Sequence, residues 1–168
     1  PGYAMFNGTS MASPQGAGVG ALLVSAAQQA GAQHQPAQIR QALISSSRYL
    51  TGYTAADQGN GLLDTAAAWD LLKTNIKTAD ISSAVENHSP LAAYLATPGV
   101  GPGIYDRDGT TQVGTAYTRT YTFRRTSGGG GTTTYELNWV GNDGTFSSAG
   151  SIALPLNVAR TLDVTVNA

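Results

Sequence analysis

The hydrophobic period of this chain changes once along its length, and that change limits the fold more than any other feature. In the first third the apolar positions recur at helical spacing, whereas beyond Tyr105 they alternate residue by residue. The chain therefore reads as a helical part, residues 1–73, then a connector, 74–103, then an all-β module, 104–168. At 168 residues it has room for one ordinary domain or two small ones.

Three helices are expected. The first runs from Ser10 to about Gln29, with Ala12, Ala17, Val19, Ala21, Leu22, Leu23 and Ala26 crowded around its circumference. A helix apolar nearly all round belongs in the middle of a domain. Gly16, Gly18 and Gly20 would each cost about 1 kcal/mol relative to Ala in a solvated helix, so close approach to neighbouring backbone is expected there. Gly31 supplies the stop. A second helix spans Pro36 to about Ser47, with Pro36 in its first turn and Ile39, Ala42 and Leu43 on one face. A third follows the turn-like "DQGNG", from an Asp64 cap to Leu72.

The connector carries "NHSP", "ATPG" and "GPG" punctuation and one or two short strands. In the β module, Tyr117, Tyr121 and Phe123 form one alternating run, and Tyr135, Leu137 and Trp139 form another. The tetraglycine Gly128 to Gly131 between them reads as a flexible hairpin loop. Ile152 to Val158 and Leu162 to Val166 give two more strands, and "NDG" at 142–144 a turn. The four aromatics Tyr121, Phe123, Tyr135 and Trp139 are expected on a sheet's buried face. Four strands are fewer than the about seven of a sandwich, so this β-sandwich-like part is expected to be incomplete.

Composition removes several functions. Apolar residues make up 41 % and charged residues 11 %, with a net charge of −1, which excludes the basic stripe of a nucleic-acid binder and the composition of a disordered chain. There is no cysteine, hence no disulfide framework or thiolate metal site. No stretch reaches the about 18 consecutive apolar residues of a membrane span. The start, "PGYAMFNG", has neither a charged region nor an apolar run of a signal peptide, and lacks an initiator Met. The chain is expected to be the C-terminal part of something longer.

Directly ahead of the first helix stands "FNGTSMASP", residues 6–14. Ser and Thr cap helices and Pro suits a first turn, so one reading is a plain helix start. The other is a nucleophile. Acyl transfer by serine needs an exposed hydroxyl, a base and donors aimed at the developing oxyanion, and a helix N-terminus supplies the donors. The string "NGTSMASP", followed by a small-residue helix, closely resembles the serine segment of the subtilisin-like serine proteases. "QPAQIRQALISSSR" and "GNGLLDTAAAWDLL" resemble the following helices of that catalytic domain, so the resemblance covers residues 1–73. The β part is similar in layout to modules appended to larger members, tripeptidyl-peptidase-like ones included.

The resemblance implies the C-terminal helices of an α/β catalytic domain followed by a partial β-sandwich-like domain. It makes Ser10 the catalytic nucleophile, with its own N–H an oxyanion donor. Asn7, Gly8 and Thr9 shape the turn ahead of it, and Asn7 and Met11 neighbour the substrate. Position 15 is Gln where many members have His. The family's Asp-Ser/Thr-Gly and His-Gly-Thr-His motifs do not occur here. His34 lies past the far end of a helix roughly 30 Å long and is out of reach of Ser10. His88, in "ENHSP", reads as a surface histidine, and the two make no metal-ligand pattern. Asp106 and Asp108 in "YDRDG" lack the Glu of an EF-hand and read as a polar turn.

The expected function is thus a piece of a secreted serine endopeptidase. Its partners are a protein or peptide substrate and the N-terminal part of the same catalytic domain, and neither a cofactor nor a metal is expected. Alone it is expected to be inactive, with apolar surface on the first helix left uncovered. The rival is a non-catalytic binding module that retains a degenerate protease remnant.

Overall fold

A computed structural model describes residues 2–91, 94, 96, 99–107, 109 and 113–167, the side chain of Ala56 excepted. The chain divides into two compact units, Pro1–Thr78 and Ala79–Ala168. The division falls earlier than an all-β module starting at 104, because the two short strands of the connector are members of the β unit's own sheet.

The helical unit holds α1 (Thr9–Ala30), α2 (Pro36–Ser46), the single turn α3 (Ala55–Gln58) and α4 (Thr65–Leu72). α1 stops where Gly31 turns left-handed at φ 62°, and the Ala32 N–H closes the end on the Ala27 carbonyl at 2.9 Å. α4 starts on Asp64, whose Oδ1 accepts from the Ala67 N–H at 2.9 Å. α3 lies in the stretch expected to be only a turn: Asp57 Oδ2 accepts from both Thr54 N and Thr54 Oγ1, and that pair of bonds opens one helical turn. Leu23 and Ala27 of α1, Ala42 of α2, and Ala68 and Leu72 of α4 form the buried core. Gln38 is buried beside it, its amide donating to Asn75 Oδ1 and to the Ile76 carbonyl, both at 2.9 Å, which ties α2 to the segment after α4. Gly61, at φ 108°, lies so close to Arg48 that any Cβ would overlap the Arg48 carbonyl, and here Arg48 and Leu62 exchange both backbone hydrogen bonds.

α1 departs from its expected surroundings. Only Leu23 and Ala27 are buried on it, Leu22 is 61 % exposed, and Cβ atoms at Gly18 and Gly20 would meet nothing within 4 Å. The close backbone approach expected at these glycines is absent among the described residues. Gly16 alone has a neighbour, the Leu63 side chain at 3.8 Å.

The β unit contains a five-stranded antiparallel sheet in the order β2-β1-β3-β7-β5 and a two-stranded sheet, β4-β6. The strands are β1 (Ile81–Glu86), β2 (Val100–Gly101), β3 (Ala116–Arg125), β4 (Thr132–Glu136), β5 (Phe146–Ser148), β6 (Ser151–Pro155) and β7 (Ala159–Asn167). β3 and β7 pair along nine residues, Ala116 opposite Asn167 to Arg124 opposite Ala159. In that register Tyr117, Arg119, Tyr121, Phe123 and Arg125 share a face with Leu162, Val164 and Val166, and this face is the less exposed one.

The tetraglycine is not a hairpin. β3 and β4 belong to different sheets, so residues 126–131 carry the chain from one to the other. Arg125, 1 % exposed, fixes that passage. Its guanidinium donates to the carbonyls of Ser127 (3.2 Å), Gly129 (2.6 Å), Gly131 (2.7 Å) and, on β6, Leu154 (3.2 Å). Gly128 and Gly131 turn left-handed here, at φ 90° and 79°, a conformation that favours glycine at both positions. The five donors of guanidinium reward such a cage of carbonyls.

Candidate active site

The turn into α1 is made by glycine, not by serine. Gly8 is the N-cap at φ 146°, ψ 173°, and its carbonyl accepts from Met11 N (3.0 Å) and Ala12 N (3.1 Å). A φ of that sign is strained for residues with a Cβ, which accounts for Gly at this position. No side chain caps the helix. Ser10 is therefore the second residue of α1, exposed, and its hydroxyl has no capping role. The first-turn N–H groups of Thr9 and Ser10 have no intrahelical acceptor and carry the positive end of the dipole of a 22-residue helix. Pro14 sits inside the second turn, not in the first. Lacking an N–H, it cannot bond to the carbonyl four residues back, that of Ser10. Asn7 precedes this turn and Met11 follows Ser10, both exposed. One short stretch thus presents Asn7, Ser10 and Met11 together on a rigid helix start.

His34 does not join them. α1 separates Ser10 from His34 by about 30 Å at 1.5 Å per residue, and the His34 Nδ1 lies 3.2 Å from the Ala32 carbonyl. His88 belongs to the β unit. It is less of a surface residue than expected: its side chain is 26 % exposed, with Nε2 3.7 Å from Glu86 Oε2, and its backbone is bracketed by Tyr105 and Arg107. Among the described residues no three His, Cys, Asp or Glu side chains gather as metal ligands.

Asp106 is not a polar turn residue. Its side chain is 6 % exposed and accepts from Tyr117 Oη (2.7 Å) and from Arg119 Nε (3.3 Å), with Arg119 Nη2 at 3.2 Å, while the Arg119 guanidinium lies 4.5 Å from the Tyr117 ring centre. Asp108 lies outside the described residues. The signal for this cluster was parity: Arg119 and Arg125 share odd positions with the aromatics of β3, so both had to point inward. Of the aromatics expected to be buried, Tyr121 and Phe123 stack on each other at 5.6 Å, but Trp139 is 47 % exposed and stacks on Phe146, also at 5.6 Å. Burial pushes the Tyr121 phenol pKa up, against a hydrogen bond with the Ile104 backbone that lowers it.

Comparison with known proteins places both units. Residues 1–69 match the subtilase family, and residues 81–168 match the Ig-like domain in actinomycete serine proteases. This chain joins a C-terminal subtilase segment to an Ig-like domain of actinomycete serine proteases. It is 37 % identical to pyrolysin of Pyrococcus furiosus over 117 residues, 64 % of this chain and 8 % of pyrolysin. It is 41 % identical to the membrane-bound transcription factor site-1 protease of Mus musculus over 81 residues, 48 % of this chain and again 8 % of the relative. The crystal structure of tripeptidyl peptidase 2 superposes on 96 % of this chain at a TM-score of 0.59 and 18 % identity, a likeness of fold that spans 13 % of that larger chain. The subtilase-matching part, residues 1–69, is followed by the Ig-like part, residues 81–168. No described helix is long and apolar enough to cross a membrane.

Proposed function

We propose that Ser10 is the nucleophile of a secreted serine endopeptidase and that this chain supplies its nucleophile segment, its last catalytic helices and an appended β domain. The observation that carries the reading is the exposed Ser10 at the second position of α1, its hydroxyl unused as a cap in a helix start that Gly8 already makes. Ser10 Oγ attacks the peptide carbonyl and passes its proton to a histidine from residues outside this chain, oriented by an aspartate also from outside it. The Ser10 N–H and an outside Asn side chain hold the oxyanion. The amine leaves with the proton, and water then hydrolyses the acyl-enzyme. Asn7 and Met11 border the bound substrate, and the uncovered side of α1, with Leu22 and Gly20, receives the rest of the catalytic domain.

A serine-directed fluorophosphonate tests this. The full-length parent should be labelled on Ser10, the Ser10→Ala parent should not, and the isolated chain, lacking its base, should not. A full-length parent that resists labelling while properly folded would overturn the reading in favour of a degenerate remnant.

A further inference from the structure

Asparagine followed by glycine is a chemically fragile pair. The glycine nitrogen, with no side chain beside it to obstruct approach, can attack the asparagine side-chain carbonyl and close a succinimide ring. Closure needs a side chain able to fold back and a backbone nitrogen able to lose its proton. The chain has two such pairs, Asn7–Gly8 and Asn60–Gly61.

The fold treats them differently. Gly61 N donates to the Gln58 carbonyl at 3.0 Å, a Cβ there would overlap the Arg48 carbonyl, and Arg48 and Leu62 close the turn with two backbone hydrogen bonds. At the other pair, residues 2–7 belong to no helix or strand, Asn7 is exposed, and a Cβ on Gly8 would meet nothing within 4 Å. Gly8 spends its carbonyl on Met11 N and Ala12 N, but among the described residues neither its own N–H nor the Asn7 amide has a hydrogen-bond partner. Asp143–Gly144 could form the same ring, yet it too is tied down. Asp143 Oδ1 accepts from Thr145 N and Oγ1, and Gly144 N donates to Asn142 Oδ1 at 3.2 Å.

We propose that Asn7 is a modification site, deamidating through a succinimide formed with Gly8. The deprotonated Gly8 nitrogen bonds to Asn7 Cγ, the Cγ–Nδ2 bond breaks, and the side-chain nitrogen takes up a proton and leaves as ammonia. Water then opens the ring at one of its two carbonyls, giving aspartate or isoaspartate at position 7, with no oxidant or reductant involved. Either product is a carboxylate ahead of the helix start, and isoaspartate also lengthens the main chain by a carbon just before Gly8. The consequence rests on the peptidase reading above: an anion fixed at this turn opposes the oxyanion that the Ser10 N–H would hold.

The test follows the full chain by peptide mapping and mass spectrometry, with enzymatic methylation of isoaspartate as a second readout, during incubation at neutral and alkaline pH. Modification at Asn7 should rise with pH, because Gly8 N must lose its proton. Asn60 should react about tenfold or more slowly, since it must first give up the hydrogen bonds of its turn. In urea the two rates should converge. Asn7→Gln, which can cyclise only through a larger and slowly formed ring, should lose the signal at position 7. Equal rates at Asn7 and Asn60 in the folded chain would overturn the proposal, as would a rate gap that persists in urea. In the full-length parent, fluorophosphonate labelling of Ser10 should decline in step with modification at position 7, and labelling undiminished in fully modified parent would overturn the proposed consequence. Because modification is read by mass and not by labelling, a fresh parent that resists the reagent defeats the peptidase reading alone.

Discussion

The helical unit and the β unit bury apolar side chains to very different effect. In the helical unit the buried residues are Leu23, Ala27, Ala42, Ala68 and Leu72, three of them alanines, while Phe6, Met11 and Leu22 stay in contact with water. In the β unit Val85, Ile152, Leu154, Val164 and Val166 are buried, a ladder of nine pairs joins β3 to β7, and a fully enclosed arginine is satisfied by four backbone carbonyls. With three alanines among its five buried side chains, this core supplies little transfer free energy. The β unit has its own means of closure. It too leaves apolar side chains in water, Tyr94, Val113 and Val140 among them.

The largest expected effect tests whether closure of the β unit is its own. Arg125→Ala removes the donor to the carbonyls of Ser127, Gly129, Gly131 and Leu154, and a loss of about 4 kcal/mol is expected. Hydrogen exchange should show lost protection in β3, β4 and β6 with α2 and α4 unchanged. Equal loss in both halves would mean that the units unfold as one. Next, Leu72→Ala in the helical core should cost about 3 kcal/mol and expose α2 and α4 amides, leaving the β3–β7 ladder protected. A much smaller cost in urea unfolding would show that this core is too loosely filled to register a cavity. The smallest effect is acid sensitivity, which both units share. Hydrogen bonds from Thr54 hold the Asp57 carboxyl below its usual pKa, and those from Thr145 do the same for Asp143. A lowered folded-state pKa gives stability present above the ordinary carboxylate range and lost as pH falls through the lowered value. Both side chains are solvent-exposed, so urea midpoints should fall only slightly with acid, and Asp57→Asn and Asp143→Asn should each flatten part of that slope.

Much of this was legible in the chain. Local rules alone place α1, α2 and α4 within a residue or two, because a glycine stop, a proline start and an aspartate cap act over one turn. β3, β4, β6 and β7 follow from alternation in the same way. α3 escaped because one turn has no period to detect, and β5 because three residues have almost none, whereas β1 and β2 fall in the connector, where one or two short strands are expected. The site divides similarly. "GTSMA" marks Ser10, but only the coordinates show that Gly8 makes the turn and leaves the serine hydroxyl free of a capping duty.

By itself, then, the sequence determined the longer elements, the change from helix to strand and the serine on its helix start, since each depends on residues within a few positions of one another. Tertiary structure alone decided that the glycine run crosses between sheets around Arg125 and that Asp106 is buried against Arg119 and Tyr117. It also decided that β4 and β6 pair in a two-stranded sheet of their own. Strand partners are chosen by contacts between residues far apart in the chain, and no local period encodes which edge will remain unpaired.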